Sequence, residues 1–154
     1  MNQDLYKTIL SRSMALASRR EICIRDMREK VRMWGAGEKE TEKIITTLID
    51  EKFIDELRYA KAFVNDKFRY NKWGRIKLSA GLKMKGIKPE LIREALGSID
   101  DEQYRNTLES LLKLHGRSIK AKNDYEFRAK LMRFGQSRGF ETGLLSDILG
   151  EEWA

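Results

Sequence analysis

The sequence predicts an all-α protein: an elongated array of three tandem three-helix repeats, about nine helices in helix-turn-helix-like units. Three observations predict it. Apolar residues recur at i, i+3 and i+4 instead of alternating. The 154 residues contain one proline, Pro89, and no Asn-Gly or Asp-Gly hairpin signal. The apolar pattern also returns at a fixed spacing of roughly 50 residues, the mark of stacked supersecondary units.

Taken in order, helices are expected near residues 4–17, 20–34 and 40–50, then 55–70, 73–85 and 89–97, then 101–115, 124–134 and 141–149. Asp55 and Asp100 precede their helices as N-caps, because a short carboxylate accepts the first unpaired N–H groups. Pro89 fits a first turn, where its missing N–H costs nothing. Gly35, Gly86, Gly97, Gly116, Gly135 and Gly139 fall at or near helix ends, where glycine accepts the left-handed cap.

Three matching sets define the repeats. Each first helix carries a tyrosine and a large apolar residue four later: Tyr6 and Leu10, Tyr59 and Phe63, Tyr104 and Leu108. Each middle helix is expected to end at a glycine, with apolar residues eight and four positions before it. These are Met27, Val31 and Gly35, then Leu78, Leu82 and Gly86, then Phe127, Leu131 and Gly135. The third helices carry Ile44, Ile45, Leu48 and Ile49, then Leu91, Ile92, Ala95 and Leu96, then Leu144, Leu145, Ile148 and Leu149. The expected divisions are 1–52, 53–98 and 99–154, with Leu78, Leu82, Leu91, Ile92, Tyr104 and Leu108 in the core of the second.

Composition narrows the function. Lys and Arg total 31 against 24 Asp and Glu, a net charge of +7, and 36% of residues are charged, well above the roughly 25% of an average domain. The single cysteine, Cys23, excludes an internal disulfide framework and fits a reducing compartment. Met1 to Leu5 lack a basic segment followed by an apolar one, and no run approaches the length of a membrane span. A cytoplasmic monomer without membrane contact is expected.

Enzyme chemistry has little to stand on. One histidine, His115, cannot build an imidazole triad or zinc site, and one thiol cannot build a thiolate site. His115 fits contact with terminal helix carbonyls, and Cys23 fits a small buried hydrophobe. The stretch from Gly81 to Gly86 has the glycine spacing of a phosphate loop, but Ile87-Lys88 follows where Lys-Ser/Thr is needed. Asp100-Asp101 and Glu151-Glu152 suit caps and tails. No catalytic residue, metal or cofactor is expected.

Charge concentrates in the middle repeat. Between Lys67 and Lys88 lie Lys67, Arg69, Lys72, Arg75, Lys77, Lys83, Lys85 and Lys88 with no acid, so the remaining chain is close to neutral. Phe68, Tyr70 and Trp73 are interleaved, and an aromatic ring among cations can stack on a base or hold a cation–π contact. The segment suits phosphates or an acidic protein groove; a solvated face over an ordinary core is the plainer alternative. Trp73 fits stacking or packing between repeats equally. Arg19, Arg20, Arg25 and Arg28, and Arg128, Lys130, Arg133 and Arg138, are diluted by acids, and pairs such as Glu21–Arg25 suit local ion pairing.

The run from Phe53 to Val64, with Asp55-Glu56-Leu57-Arg58-Tyr59-Ala60, resembles the signature joining the first two repeats of the RecX regulatory proteins. Lys72-Trp73-Gly74-Arg75-Ile76-Lys77-Leu78, with Leu82 and Lys85-Gly86-Ile87, is similar to that family's second-repeat motif. Ser18-Arg19-Arg20-Glu21 with Val31 and Gly35 matches more loosely, and Arg133-Phe134-Gly135 with Arg138-Gly139-Phe140 resembles the close of the third repeat. Glu56 stands where the family usually carries a second Asp. The resemblance spans nearly the whole chain.

The resemblance implies a regulator of the RecA recombinase. Such proteins lie along the groove of the RecA–single-stranded DNA filament and commonly lower its ATPase, strand-exchange and coprotease activities. Mapped here, Arg58, Tyr59, Lys67, Arg69, Lys72, Trp73, Arg75, Lys77, Lys83, Lys85 and Lys88 are the candidates for the filament- and DNA-binding surface, with weaker binding to duplex DNA. The alternative is a stand-alone basic helical-repeat DNA-binding protein; a helical adaptor for a purely protein target is a third reading.

Overall fold

Three side-chain caps start the first helix of each repeat in the same way. Asn2, Asp55 and Asp100 accept the backbone N–H three residues on, from Leu5 (2.8 Å), Arg58 (3.0 Å) and Gln103 (2.9 Å). Each bond satisfies one donor that a helix start leaves unpaired. Tyr6, Tyr59 and Tyr104 follow four residues after the caps and donate their N–H to the cap carbonyls, so the tyrosines are equivalent, as the sequence pattern expects. The computed structural model describes residues 1–152, with side chains over 1–150. The acids at Glu151 and Glu152 lie outside the described side chains.

The described residues form nine helices and no strand: α1 (Gln3–Arg19), α2 (Ile24–Met33), α3 (Glu38–Asp50), α4 (Glu56–Asn71), α5 (Arg75–Met84), α6 (Pro89–Leu96), α7 (Asp101–Gly116), α8 (Asp124–Ser137) and α9 (Thr142–Glu152). The all-α expectation holds, and Pro89 opens α6 as expected.

The middle helices correct the expected register of the third repeat. Gly35, Gly86 and Gly139 adopt φ of 108°, 77° and 90°, and the residue after each donates back five positions. These bonds run from Ala36 to Val31 (3.2 Å), Ile87 to Leu82 (3.1 Å) and Phe140 to Gly135 (3.1 Å). This Schellman closure pairs the last carbonyls of a helix and needs a left-handed residue, which glycine adopts without strain. The equivalents are therefore Met27, Leu78 and Leu131, all fully buried, and α8 continues past Gly135 to Ser137. Gly135 is a packing residue instead: the Leu145 side chain fills the space its Cβ would take, with Cγ 3.2 Å away. The same alignment shifts the third helix of the first repeat by one turn. It sets buried Thr41 against Ile92 and Leu145, and Ile44 against Ala95 and Ile148.

α2 starts four residues later than expected, because Arg20 and Cys23 are extended. Cys23 occupies the N-cap without a side-chain bond. Glu56 supplies the cap from 32 residues away, accepting the Ile24 N–H at 3.1 Å. Burial pushes the Glu56 carboxyl above the usual range, opposed by that backbone bond. It also raises the Cys23 thiol, as expected of a structural cysteine.

The chain divides into two compact units. One holds Met1–Ala62 with Leu82–Arg93; the other holds Phe63–Gly81 with the chain from Glu94 onward. The first unit's core gathers Ile9, Met27, Val31, Ile44, Leu48 and Ile54. Burying each such side chain contributes about 1.5–3 kcal/mol. The second unit centres on an aromatic series. Phe68 stacks on Tyr104 at 5.7 Å, and Tyr104 meets Phe140 at 5.2 Å. His115 stacks on Phe134 with ring centroids 3.7 Å apart, a ring contact in place of the expected carbonyl contact.

Candidate functional site

In the second unit, α4 ends at Lys72, whose φ of 57° is left-handed. Its ammonium donates to the Arg69 carbonyl at 2.6 Å, so the side chain closes its own helix. The turn that follows is bonded to the backbone of the third repeat. Gly74 N–H donates to the Arg138 carbonyl (2.7 Å) and Ile76 N–H to the Gly139 carbonyl (2.9 Å). The approach leaves no room for side chains: a Cβ on Gly74 would lie 2.6 Å from Phe140 N, and one on Gly139 2.6 Å from Lys77 N.

Arg75 is the centre of this junction. Its guanidinium binds Asp101 at 2.8 Å and Glu141 at 3.0 Å and lies 3.8 Å from the Tyr104 ring centroid. Its backbone N–H donates to the Tyr104 hydroxyl at 2.8 Å, and that hydroxyl in turn donates to Glu141. Burial, then the bond to Glu141, drives the Tyr104 phenol far above its ordinary range. Both terminal nitrogens of the Arg75 guanidinium are thus bound to carboxylates within the fold.

Trp73 lies beside this junction, half-buried, with Phe63 edge-on at 6.2 Å. The Lys67 and Lys77 ammonium groups lie 5.1 and 4.8 Å from its ring centroid. A Cβ on Gly81 would lie 2.8 Å from the Phe63 ring, so glycine is what admits that ring. Trp73 is therefore a packing residue on one edge and a cation-flanked aromatic on the other. Arg69 and Tyr70 are both exposed, with the guanidinium 5.8 Å from the ring centroid.

The remaining candidates belong to the first unit. The Arg58 guanidinium binds Glu21 at 2.7 Å and donates to the Lys52 and Phe53 carbonyls, both at 3.2 Å. Glu21 thus pairs with Arg58 and not with Arg25 as expected: Glu21 precedes the start of α2, so no helical i, i+4 geometry exists there. Arg25 donates to the Met84 carbonyl instead. Lys85 pairs with Asp26 at 2.9 Å, which raises its pKa. Tyr59 is half-buried, and burial pushes its phenol up to about 12. Lys83 and Lys88 are exposed, and their side chains make no hydrogen bond or ion pair among the described residues.

The nine cationic candidates thus fall into two classes. Arg58, Lys72, Arg75 and Lys85 have head groups held by the fold; Lys67, Arg69, Lys77, Lys83 and Lys88 form no ion pair among the described residues, although the Lys88 charge favours the Glu56 carboxylate. The partners that occupy Arg75 lie 26 and 66 residues away, beyond any local sequence pattern. The described residues hold no cluster of His, Cys, Asp and Glu suited to a metal ion. Among them, no helix is long and apolar enough to cross a membrane.

Comparison with known proteins places these features in context. Residues 55–96 match the family model described as RecX, second three-helix domain, and residues 100–149 match RecX, third three-helix domain. A regulatory protein RecX of Clostridium botulinum is 30% identical over 129 residues, which cover 82% of this chain and 60% of the relative. The chain thus spans about 60% of that relative's length. A regulatory protein RecX of Clostridium acetobutylicum is 28% identical over 155 residues, covering 98% of this chain and 72% of the relative. The crystal structure of RecX from Lactobacillus salivarius superposes with a TM-score of 0.85 at 19% identity, covering 97% of each chain; that likeness is one of fold.

Proposed function

Because the chain belongs to the RecX family of regulatory proteins, we propose that it binds the RecA–single-stranded DNA filament along its groove. In this reading it acts as a cytoplasmic monomer without catalysis of its own. It lowers recombinase ATPase, strand exchange and coprotease activity. The observation that carries the reading beyond the family is the acid-free segment from Lys67 to Lys88. Its cations outside any ion pair, Lys67, Lys77, Lys83 and Lys88, suit acidic protomer surfaces or exposed phosphates. Trp73 keeps its aromatic edge beside two of them. The fold-bound cations, Arg58, Arg75 and Lys85, hold the scaffold that presents the others.

The test is ATP hydrolysis by RecA on single-stranded DNA with the protein titrated in below stoichiometry. A fall at a small fraction of the recombinase concentration supports action on filament ends or along the groove. No effect at equimolar protein, beside clear binding to naked DNA, overturns the reading in favour of a stand-alone DNA-binding protein. Charge reversal at Lys83 and Lys88 is expected to weaken inhibition while leaving the fold intact.

A further inference from the structure

A second acid-free stretch lies outside the middle repeat. From Ser110 to Asn123 the chain carries Lys113, Arg117, Lys120 and Lys122 and no Asp or Glu. Its second half is the connection between α7 and α8. That connection is held through its backbone by side chains of α8: the Lys130 ammonium donates to the Lys120 carbonyl at 2.6 Å. Glu126 accepts the Lys122 N–H at 3.4 Å and pairs with Lys130 at 3.1 Å. The pairing draws the Glu126 carboxyl below its usual range and leaves its charge locally compensated.

The side chains on this pinned backbone are unused. Arg117, Lys120 and Lys122 are exposed and make no hydrogen bond or ion pair among the described residues. Tyr125, one residue into the first turn of α8, is 85% exposed, the most open large apolar side chain described. It borders an open groove of about 680 Å³ between α8 and α9, with Ala129, Met132 and Leu149 among its lining residues. An exposed ring costs free energy in water and contributes nothing to the core. Three uncommitted cations three to eight residues before such a ring combine the two elements that bind single strands: backbone charge and a stacking platform.

We propose that Arg117, Lys120, Lys122 and Tyr125 form a contact for single-stranded DNA in the third repeat, separate from the candidates of the middle repeat. Lys120, Lys122 and Arg117 meet phosphates, and one base stacks on Tyr125 beside the groove, whose lining mixes Ala129, Met132 and Leu149 with Asp124, Arg128 and Ser146. Single-stranded DNA is favoured over an acidic protein because a base offers a flat face to Tyr125 while its backbone supplies regularly spaced anions. Duplex DNA keeps its bases stacked and cannot supply that face. The inference deepens the filament reading by naming a nucleic-acid contact, yet it can be tested without the recombinase.

The experiment is fluorescence anisotropy of the full chain with a labelled oligothymidylate of about 20 nucleotides, a length that exceeds common single-strand site sizes. Reversing Lys120 and Lys122 to Glu is expected to lower the slope of log affinity against log salt by about 1.4, roughly 0.7 for each phosphate no longer neutralised. Tyr125→Ala is expected to weaken binding about fivefold or more, with Tyr125→Phe close to the parent, because a phenyl face stacks as a phenol does. All positions are exposed, and an unchanged thermal midpoint ties the losses to the surface. Parent-like affinity and salt slope in the double reversal, or no binding of the oligomer by the parent chain, overturns the proposal. Recombinase ATPase measured on the same variants separates the two readings. Inhibition that survives in a double reversal with parent-like oligomer affinity sinks this contact and leaves the filament reading standing. Oligomer binding that depends on these residues, without inhibition by the parent, does the reverse.

Discussion

The two ends of the basic segment differ in what their charges do. At the 72–77 end, Arg75 is enclosed by Asp101, Glu141 and Tyr104, and Lys72 closes its own helix. At the 83–88 end, Lys85 alone forms an ion pair, with Asp26, while Lys83 and Lys88 are exposed. The local sequence is equally basic at both ends, so charge density alone does not say which cations are available. The difference comes from acids far along the chain: Glu141 lies 66 residues from Arg75 and reaches it only in the folded state. A cation with such partners builds the scaffold, and one without them is left for a ligand.

The sharpest way to break the scaffold end is at its backbone contact. Gly139→Ala places a methyl group against Lys77 and keeps φ at 90°. A loss of about 3 kcal/mol or more is expected, because overpacking and left-handed strain combine there. Chemical denaturation is the readout; a variant within 1 kcal/mol of the parent, taking roughly 1 kcal/mol as the centre of ordinary substitutions, contradicts the close approach.

Arg75→Ala comes next, at about 2–3 kcal/mol, since it strips hydrogen bonds from two carboxylates and a cation–π contact from the Tyr104 ring. Arg75→Lys is expected to recover little of this, because an ammonium cannot span Asp101 and Glu141 with a planar fork. Full rescue by lysine in thermal unfolding would show that only the charge matters.

A smaller effect is read in pH. Burial lifts the Tyr59 phenol from 10.0 to about 12, so the folded chain favours the neutral ring. That stabilisation is complete below pH 10 and is lost as pH rises through about 12. Tyr59→Phe is expected to move the alkaline unfolding midpoint upward; an unmoved midpoint assigns the alkaline transition to other groups, Tyr104 first.

The least effect on stability belongs to the free end. Lys83→Ala and Lys88→Ala are each expected to stay within about 0.5 kcal/mol of the parent, and Lys85→Ala to cost under about 1 kcal/mol, as partly exposed ion pairs do. Binding assays then sharpen the contrast: Lys83 and Lys88 variants lose filament or DNA affinity at unchanged stability. Arg75 variants are expected to lose both together.

The helices and their repetition are legible in the chain's local chemistry. Helix formation is local: caps at Asp55 and Asp100, Pro89 at a first turn and apolar spacing act within a few residues, so they are legible one segment at a time. The three tyrosines after the caps were legible for the same reason, as was the basic character of the middle repeat. Packing between helices set the rest. Gly135 resembled a helix end until Leu145 filled its place inside α8, and Glu56 caps a helix that begins 32 residues before it. It also sorted the candidate cations, tying Arg58 to Glu21 and Arg75 to Glu141 while leaving Lys83 and Lys88 open. Spacing along a chain records which residues share a helix face, but a salt bridge or a close glycine contact depends on distances set only when separate helices pack.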